Sequence, residues 1–320
     1  MKKINTFRLI VKFLAVGCMV VLSGSLYAAE VIIEAKIEPP RTEGIIYELT
    51  VPPASTKEAV NRIAQIMEAS GVRFSRKLVT KVEDRMAMYG GGVEASMNAT
   101  RTEFFFSKFS RLKLTGKSGP LPSDEQAIKL SRDYLRKTGL MPKDEKELQI
   151  DHVGGIMQML SNARAPEKKA VVVYFNRELD GMKVRNFGSS ITITLADSLL
   201  PAGVQYHWRE VASREKVAVD RYLAPEKIYD LITRDANRVF TAKGQVIIDK
   251  IELVLYDNGG KHIQPAYSYE GVYKVEQKEG EGIEDMPVLG YVQAIDKVYE
   301  PIHHPANSPK RVAPPTEGDE

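Results

Sequence analysis

Apolar residues recur at helical spacing in three stretches of this chain. Across Lys57–Ser70, the residues Ala59, Ile63, Ile66 and Met67 fall on one face. Ser55-Thr56-Lys57-Glu58 offers a capping box before them, and Gly71 stands at the expected stop. Asp124–Thr138 carries Ala127, Leu130, Tyr134 and Leu135 on one stripe. It opens on Ser123-Asp124-Glu125-Gln126 and closes on Gly139, with Pro142 just beyond. Pro225–Phe240 begins with a proline, whose missing N–H suits a first helical turn. It aligns Ile228, Leu231, Ile232, Ala236 and Val239 ahead of Gly244.

Strand-like segments follow each predicted helix. After the first come Phe74–Val82, Arg85–Tyr89, Gly92–Ala99 and Glu103–Phe109. After the second come Leu148–Met157, Lys169–Asn176, Met182–Phe187, Ser190–Leu195 and Val204–Val211. After the third come Gln245–Tyr256, Ile263–Tyr269, Gly271–Val275 and Val288–Val298. Several alternate, as in Ile191, Ile193 and Leu195 against Ser190, Thr192 and Thr194, the mark of a sheet with one wet face. Asp180-Gly181, Asn258-Gly259-Gly260 and Glu270-Gly271 supply tight turns. Links this short cannot hold a crossover helix, so antiparallel pairing is expected. The pattern predicts an α+β fold of repeated helix-on-antiparallel-sheet units, one in 30–119 and two more in 120–299. Gln277–Pro287 reads as an exposed acidic loop. Glu300–Glu320, rich in proline and charge, reads as a disordered tail.

The first 29 residues differ from the rest. Lys2, Lys3, Arg8 and Lys12 precede the apolar run Phe13–Leu22, and Ser23, Gly24, Ser25 and Ala28 follow it. That is the layout of a secretory signal peptide, and the apolar run is short for a membrane span. Cleavage after Ala28 or Ala29 predicts a soluble exported protein, periplasmic or extracellular. Lipid attachment at Cys18, behind Ala15-Val16-Gly17, is the alternative and would tether the chain to a membrane. Cys18 is the only cysteine, so a processed chain has no thiol for a disulfide, a metal or nucleophilic catalysis. Subtracting the four leader cations from the net charge of +3 leaves −1. A near-neutral surface on about 290 residues argues against nucleic acid as a partner.

One block resembles a known module. It runs from Ala127 through Val171–Val184, with Tyr174-Phe175-Asn176-Arg177 before the Asp180-Gly181 turn, and on to Gly188–Leu195. Ile251–Tyr256 and Gln264-Pro265-Ala266-Tyr267-Ser268-Tyr269-Glu270-Gly271 complete it. Over roughly Leu121–Val275 this resembles the PepSY and thermolysin-propeptide (FTP-like) modules of exported envelope proteins. The resemblance implies a non-catalytic module that contacts peptidases, folding partners or envelope sensors. No protease His-Glu-x-x-His helix follows, so a stand-alone inhibitor, chaperone or regulator is the form it would take here.

Candidate chemistry is sparse. His152, His207, His262, His303 and His304 lack the spacing of a zinc site, and only the last two adjoin. Gly188-Ser189-Ser190 lacks the second glycine of a nucleophile elbow and reads as a turn. Gly90-Gly91-Gly92 precedes a strand rather than a helix, which makes it a hairpin turn rather than a phosphate loop. Phe104-Phe105-Phe106 fits a strand buried on both faces, or an edge that docks a partner. Trp208 and Tyr206 read as core. Arg177, Arg185 and Arg209 fit a solvated face or a patch for an acidic partner.

The expectation is therefore an exported, non-enzymatic protein-interaction module with no cofactor and no bound metal. Its partner would be an envelope peptidase or sensor protein, and it would touch a membrane only through a lipidated Cys18. The partner-binding candidates are Phe104 and Phe106 on a sheet edge, and Tyr174, Arg177 and Tyr267 on the PepSY-like block. The alternative is an envelope small-ligand carrier or hydrolase with a cleft between units.

Overall fold

The computed structural model describes residues 29–114, 119–159, 165–275 and 285–303. The chain starts with β1 (Glu30–Ile33), β2 (Gly44–Leu49), α1 (Thr56–Ala69), β3 (Val79–Val82), β4 (Arg85–Gly90), β5 (Val93–Asn98) and β6 (Glu103–Ser107). It continues with α2 (Asp124–Thr138), β7 (Leu148–Gln158), β8 (Glu167–Leu179), β9 (Met182–Arg185), β10 (Ser190–Leu195), β11 (Pro201–His207) and β12 (Val211–Val217). It ends with α3 (Pro225–Val239), β13 (Gly244–Tyr256), β14 (His262–Val275) and β15 (Met286–Gln293).

Local sequence accounts for the helix ends. At α2 the Ser123 hydroxyl accepts the Gln126 amide at 3.3 Å, and the Gln126 side chain accepts the Ser123 amide at 3.1 Å. This capping box satisfies two donors that the first turn leaves unpaired. Gly139, at φ 64°, ends the helix in a left-handed conformation. At α1 the Ser55 hydroxyl accepts the Glu58 amide at 3.3 Å, one half of such a box, and Pro225 is the first residue of α3. Removing the α2 cap with Ser123→Ala should cost about 1 kcal/mol of unfolding free energy, read by urea denaturation.

The sheet departs from the expected repeat. The described strands form one mixed sheet of fifteen, in the order β12-β2-β14-β13-β9-β8-β10-β11-β6-β5-β4-β3. Alongside this path β1 pairs with β13, β15 with β14 and β7 with β8. Only three α-helices accompany it among the described residues. The units are not separate bodies, because their edges are fused. β6 pairs with β11, and β2 and β1 insert beside β14 and β13. Nor is the pairing wholly antiparallel, since β13 runs parallel to both β1 and β9. The first two helices share one core. Ile63, Ile66 and Met67 of α1 and Ala127 and Leu135 of α2 cover the same face, on Val173, Phe175, Ile193 and Phe106. The α3 residues Ile228, Ile232 and Ala236 cover a second core on Val246, Ile248, Tyr267 and Tyr269. β9 links the two regions, pairing with β8 through the Asp180-Gly181 hairpin and with β13 at Leu255 and Tyr256.

Several local expectations can be placed on this frame. Gly90, Gly91 and Gly92 turn β4 into β5, all at positive φ. β6 lies between β5 and β11, so Phe104 and Phe106 are fully buried in the shared core and are no edge. Of the loop expected over Gln277–Pro287, Met286 and Pro287 open β15, and residues 277–284 lie outside the described residues. Glu300–His303, expected in the tail, are held against β13 and β14. The leader with Cys18, and residues 304–320, lie outside the described residues. No described helix is long and apolar enough to cross a membrane.

Candidate functional site

Among the described residues β7, eleven residues long, pairs with β8 alone and its other edge meets no strand. α2 steadies its start, where Arg132 donates to the Leu148 carbonyl at 2.9 Å and lies over the Phe175 ring. Two irregularities, at Ile150/His152 and at Ile156/Met157, bound a regular stretch from His152 to Ile156. Such bulges shorten the template that a free edge offers to other strands. Ile150, Met157 and Met159 are exposed at either end of it.

On the face turned away from α1 and α2, the His152 ring stacks on Tyr174 of β8, with centroids 4.1 Å apart and planes 15° apart. Asp151 holds the imidazole through Nδ1 at 2.8 Å, and Arg185 stands 3.6 Å from the other Asp151 oxygen. Gly154 adds no side chain beside the Tyr174 ring, where a Cβ would lie in contact with it at 3.4 Å. Cross-strand register extends the row from Tyr174 to Thr192, Gln205 and Phe105, all of them exposed or half-buried. Tyr174 is thus the one partner-binding candidate that the structure leaves at the surface.

The arginines tell a different story. Arg177 is buried, not on a solvated face. Its Nε donates to Glu147 at 2.8 Å, its Nη2 also reaches that carboxylate, and its Nη1 donates to the Arg209 carbonyl at 2.8 Å. Its guanidinium carbon lies 4.7 Å from the centre of the Trp208 ring. Arg209 is nearly as buried and reaches Asp257 at 3.3 Å. Asp257 also accepts the Ser189 hydroxyl at 2.6 Å and the Gly259 amide at 2.8 Å. Burial pushes both Glu147 and Asp257 above the usual carboxylate range, against the pull of Arg177 and Arg209. Gly188 is required by this packing, because a Cβ would lie 1.8 Å from Asp257. The knot fastens β8, β10 and β11 to β13. Tyr267 is equally interior, on β14 beneath α3, and its hydroxyl has no hydrogen-bond partner among the described residues.

An open groove of about 620 Å³ lies at the C-terminal ends of α1 and α2. Arg62, Gln65, Glu68, Arg136, Lys137 and Gly139 line it. Arg62 donates to the Thr138 carbonyl at 2.9 Å and Arg136 is paired with Glu145, so two of its cations serve helix ends and an ion pair. No cluster of three metal-ligating side chains stands among the described residues. Sequence reasoning missed one further feature, the segment after β15, whose only signal is the aromatic-Glu-Pro-aliphatic run Tyr299–Ile302.

No family model matches this chain, and no curated protein does. Among solved structures, the crystal structure of an uncharacterized protein from Eubacterium rectale ATCC 33656 is similar over 86% of this chain and 90% of that one. The two share 11% identity, with a TM-score of 0.42.

Proposed function

We propose that this chain is an exported, non-enzymatic protein-interaction module that engages an envelope peptidase or sensor through the free edge of β7. One observation carries the reading. A strand edge with no partner among the described residues runs beside the stacked His152–Tyr174 pair, with exposed Ile150 and Met157 at its ends. An extended segment of a partner can add to such an edge by main-chain hydrogen bonds, and flanking side chains then select its sequence. The two bulges suit this role, because they allow a short added strand but oppose indefinite sheet growth. Export rests on the leader layout of the first 29 residues, and the PepSY-like block Leu121–Val275 supports a regulator or inhibitor rather than an enzyme.

Photo-crosslinking in intact cells tests this. A crosslinker at 150 or 157 should trap the same protein, and one at Lys227 on α3 should not. Ile150→Lys with Met157→Lys should cut that capture at least tenfold while thermal stability stays within about 0.5 kcal/mol, as for surface changes generally. Equal trapping from α3, or reproducible turnover of a substrate by the purified protein, would overturn the reading.

A further inference from the structure

After β15, Ile295 bridges to Tyr222, and beyond it the segment Tyr299–His303 crosses the ends of β13 and β14 with no strand pairing among the described residues, held as peptide-binding proteins hold a ligand. Its main chain is read by side chains. Buried Gln264 donates from Nε2 to the Glu300 carbonyl at 2.6 Å, and its Oε1 accepts the Tyr299 and Glu300 amides at 2.7 and 3.1 Å. Asn258 donates to the Pro301 carbonyl at 2.8 Å, and the Tyr256 hydroxyl accepts the His303 amide at 3.1 Å.

Two side chains of the segment enter built sites. The Glu300 carboxylate accepts the successive amides of Lys261 and His262 at 2.7 and 3.0 Å and contacts His262 Nδ1 at 3.0 Å. Consecutive N–H groups aimed at one oxygen form an anion nest. Gly260 completes it, because a Cβ there would lie 2.3 Å from the second carboxylate oxygen. Ile302 packs on Val254, Tyr256, Ala266 and Tyr291. Pro301, between the two, pre-sets an extended backbone at little entropic cost.

We propose that this groove is a peptide-recognition site for extended segments of the pattern aromatic-Glu-Pro-aliphatic, and that the chain's own Tyr299–Ile302 fills it in cis. The Gln264 amide argues for a required occupant. All the hydrogen bonds its side chain makes among the described residues go to the segment, so release of the segment gives up every one of them to water. Among the described residues Tyr299–His303 pair with no strand, which argues for exchange, since release breaks side-chain contacts without undoing the sheet. A tethered occupant competes at high effective concentration, so a partner must carry the same pattern with a better fit or a second point of attachment. This site is remote in sequence from β7 and does not depend on the role proposed for that strand.

The test uses the full chain and a fluorescent peptide with the sequence of Lys297–His303. Glu300→Ala with Ile302→Asp should release the segment, seen as faster amide exchange at 299–303. The released chain should bind the peptide at least tenfold more tightly than the unmodified chain does. Adding Gly260→Ala or Gln264→Ala to the released chain should reduce binding at least tenfold, as should alanine for glutamate in the peptide. Should the released chain not fold, millimolar peptide added to the unmodified chain must itself speed exchange at 299–303. Retained protection in a folded released chain, no binding by it, no displacement in the unmodified chain, or equal binding of a scrambled peptide would each overturn the proposal.

Discussion

Alanine in place of Arg177 will lower the unfolding free energy by about 3–5 kcal/mol, the range for breaking a buried ion pair from one side. The guanidinium is fully buried and spreads its donors between the Glu147 carboxylate and the Arg209 carbonyl. Its removal strands that carboxylate in a site where only 14% of the side chain is exposed, and uncovers the Trp208 ring. Glu147 is already pushed above the usual range by burial, and losing Arg177 removes the main opposing charge. A carboxyl with a raised folded pKa holds a proton that the unfolded chain gives up, so its contribution weakens as pH rises through that value. The deficit of the variant should therefore be larger at about pH 8 than at about pH 5. Arg177→Met with Glu147→Leu should recover part of the loss, because no charge is then left without a partner. Urea unfolding at both pH values measures all of this. A deficit under about 1 kcal/mol, unchanged with pH, would mean that water reaches the knot and relaxes it.

The same residue shows where the sequence stops being legible. Capping boxes, helical spacing and terminal glycines act within a few residues of each other, so α1, α2 and α3 could be read within one or two residues of their ends. Asp180-Gly181 and the three glycines after Tyr89 fix hairpins for the same local reason. The order of strands is a different kind of fact. Nothing near Phe104 says that β11, a hundred residues on, will cover β6, and that pairing turned an imagined edge into core. Nothing near Gly44–Leu49 marks a strand that pairs with β12 and β14. Arg177 falls on the same strand face as Phe175 and Leu179, and only the arrival of Glu147, Trp208 and Arg209 makes its burial tolerable. Of the surface, the Tyr174 position was readable from its strand. The His152 stack was not, because it depends on a bulge that shifts the β7 register.

Raising the pH will unfold this protein cooperatively between about pH 10.5 and 11.5, and its tyrosines will drive the transition. Six phenols have acidities strongly suppressed by the fold. Burial pushes Tyr267 and Tyr291 up to about 12. Burial pushes Tyr134 and Tyr206 higher, and burial together with a carboxylate partner does the same at Tyr47 and Tyr269, which donate to Asp180 and Asp235 at 2.7 Å. In the unfolded chain each ionises near 10. Above that value the folded chain keeps protons that the unfolded chain has released, so stability falls as pH rises. Six fully suppressed groups give a slope of about 8 kcal/mol per pH unit, enough to exhaust the 5–15 kcal/mol typical of a folded domain within about two units. Phenolate absorbance should therefore rise in two phases, first the exposed tyrosines without loss of circular dichroism, then the buried set together with it. Tyr267→Phe separates the cause from general alkaline damage. It removes a buried hydroxyl that has no partner among the described residues, so it should leave stability at neutral pH unchanged or higher, and it should make the alkaline slope shallower by about one proton. Tyr269→Phe takes the same proton out of the slope but loses the hydrogen bond to Asp235, so it should be less stable at neutral pH by about 1.5–3 kcal/mol. A single smooth titration near 10 with circular dichroism intact would show that these rings are reached by solvent in the folded chain.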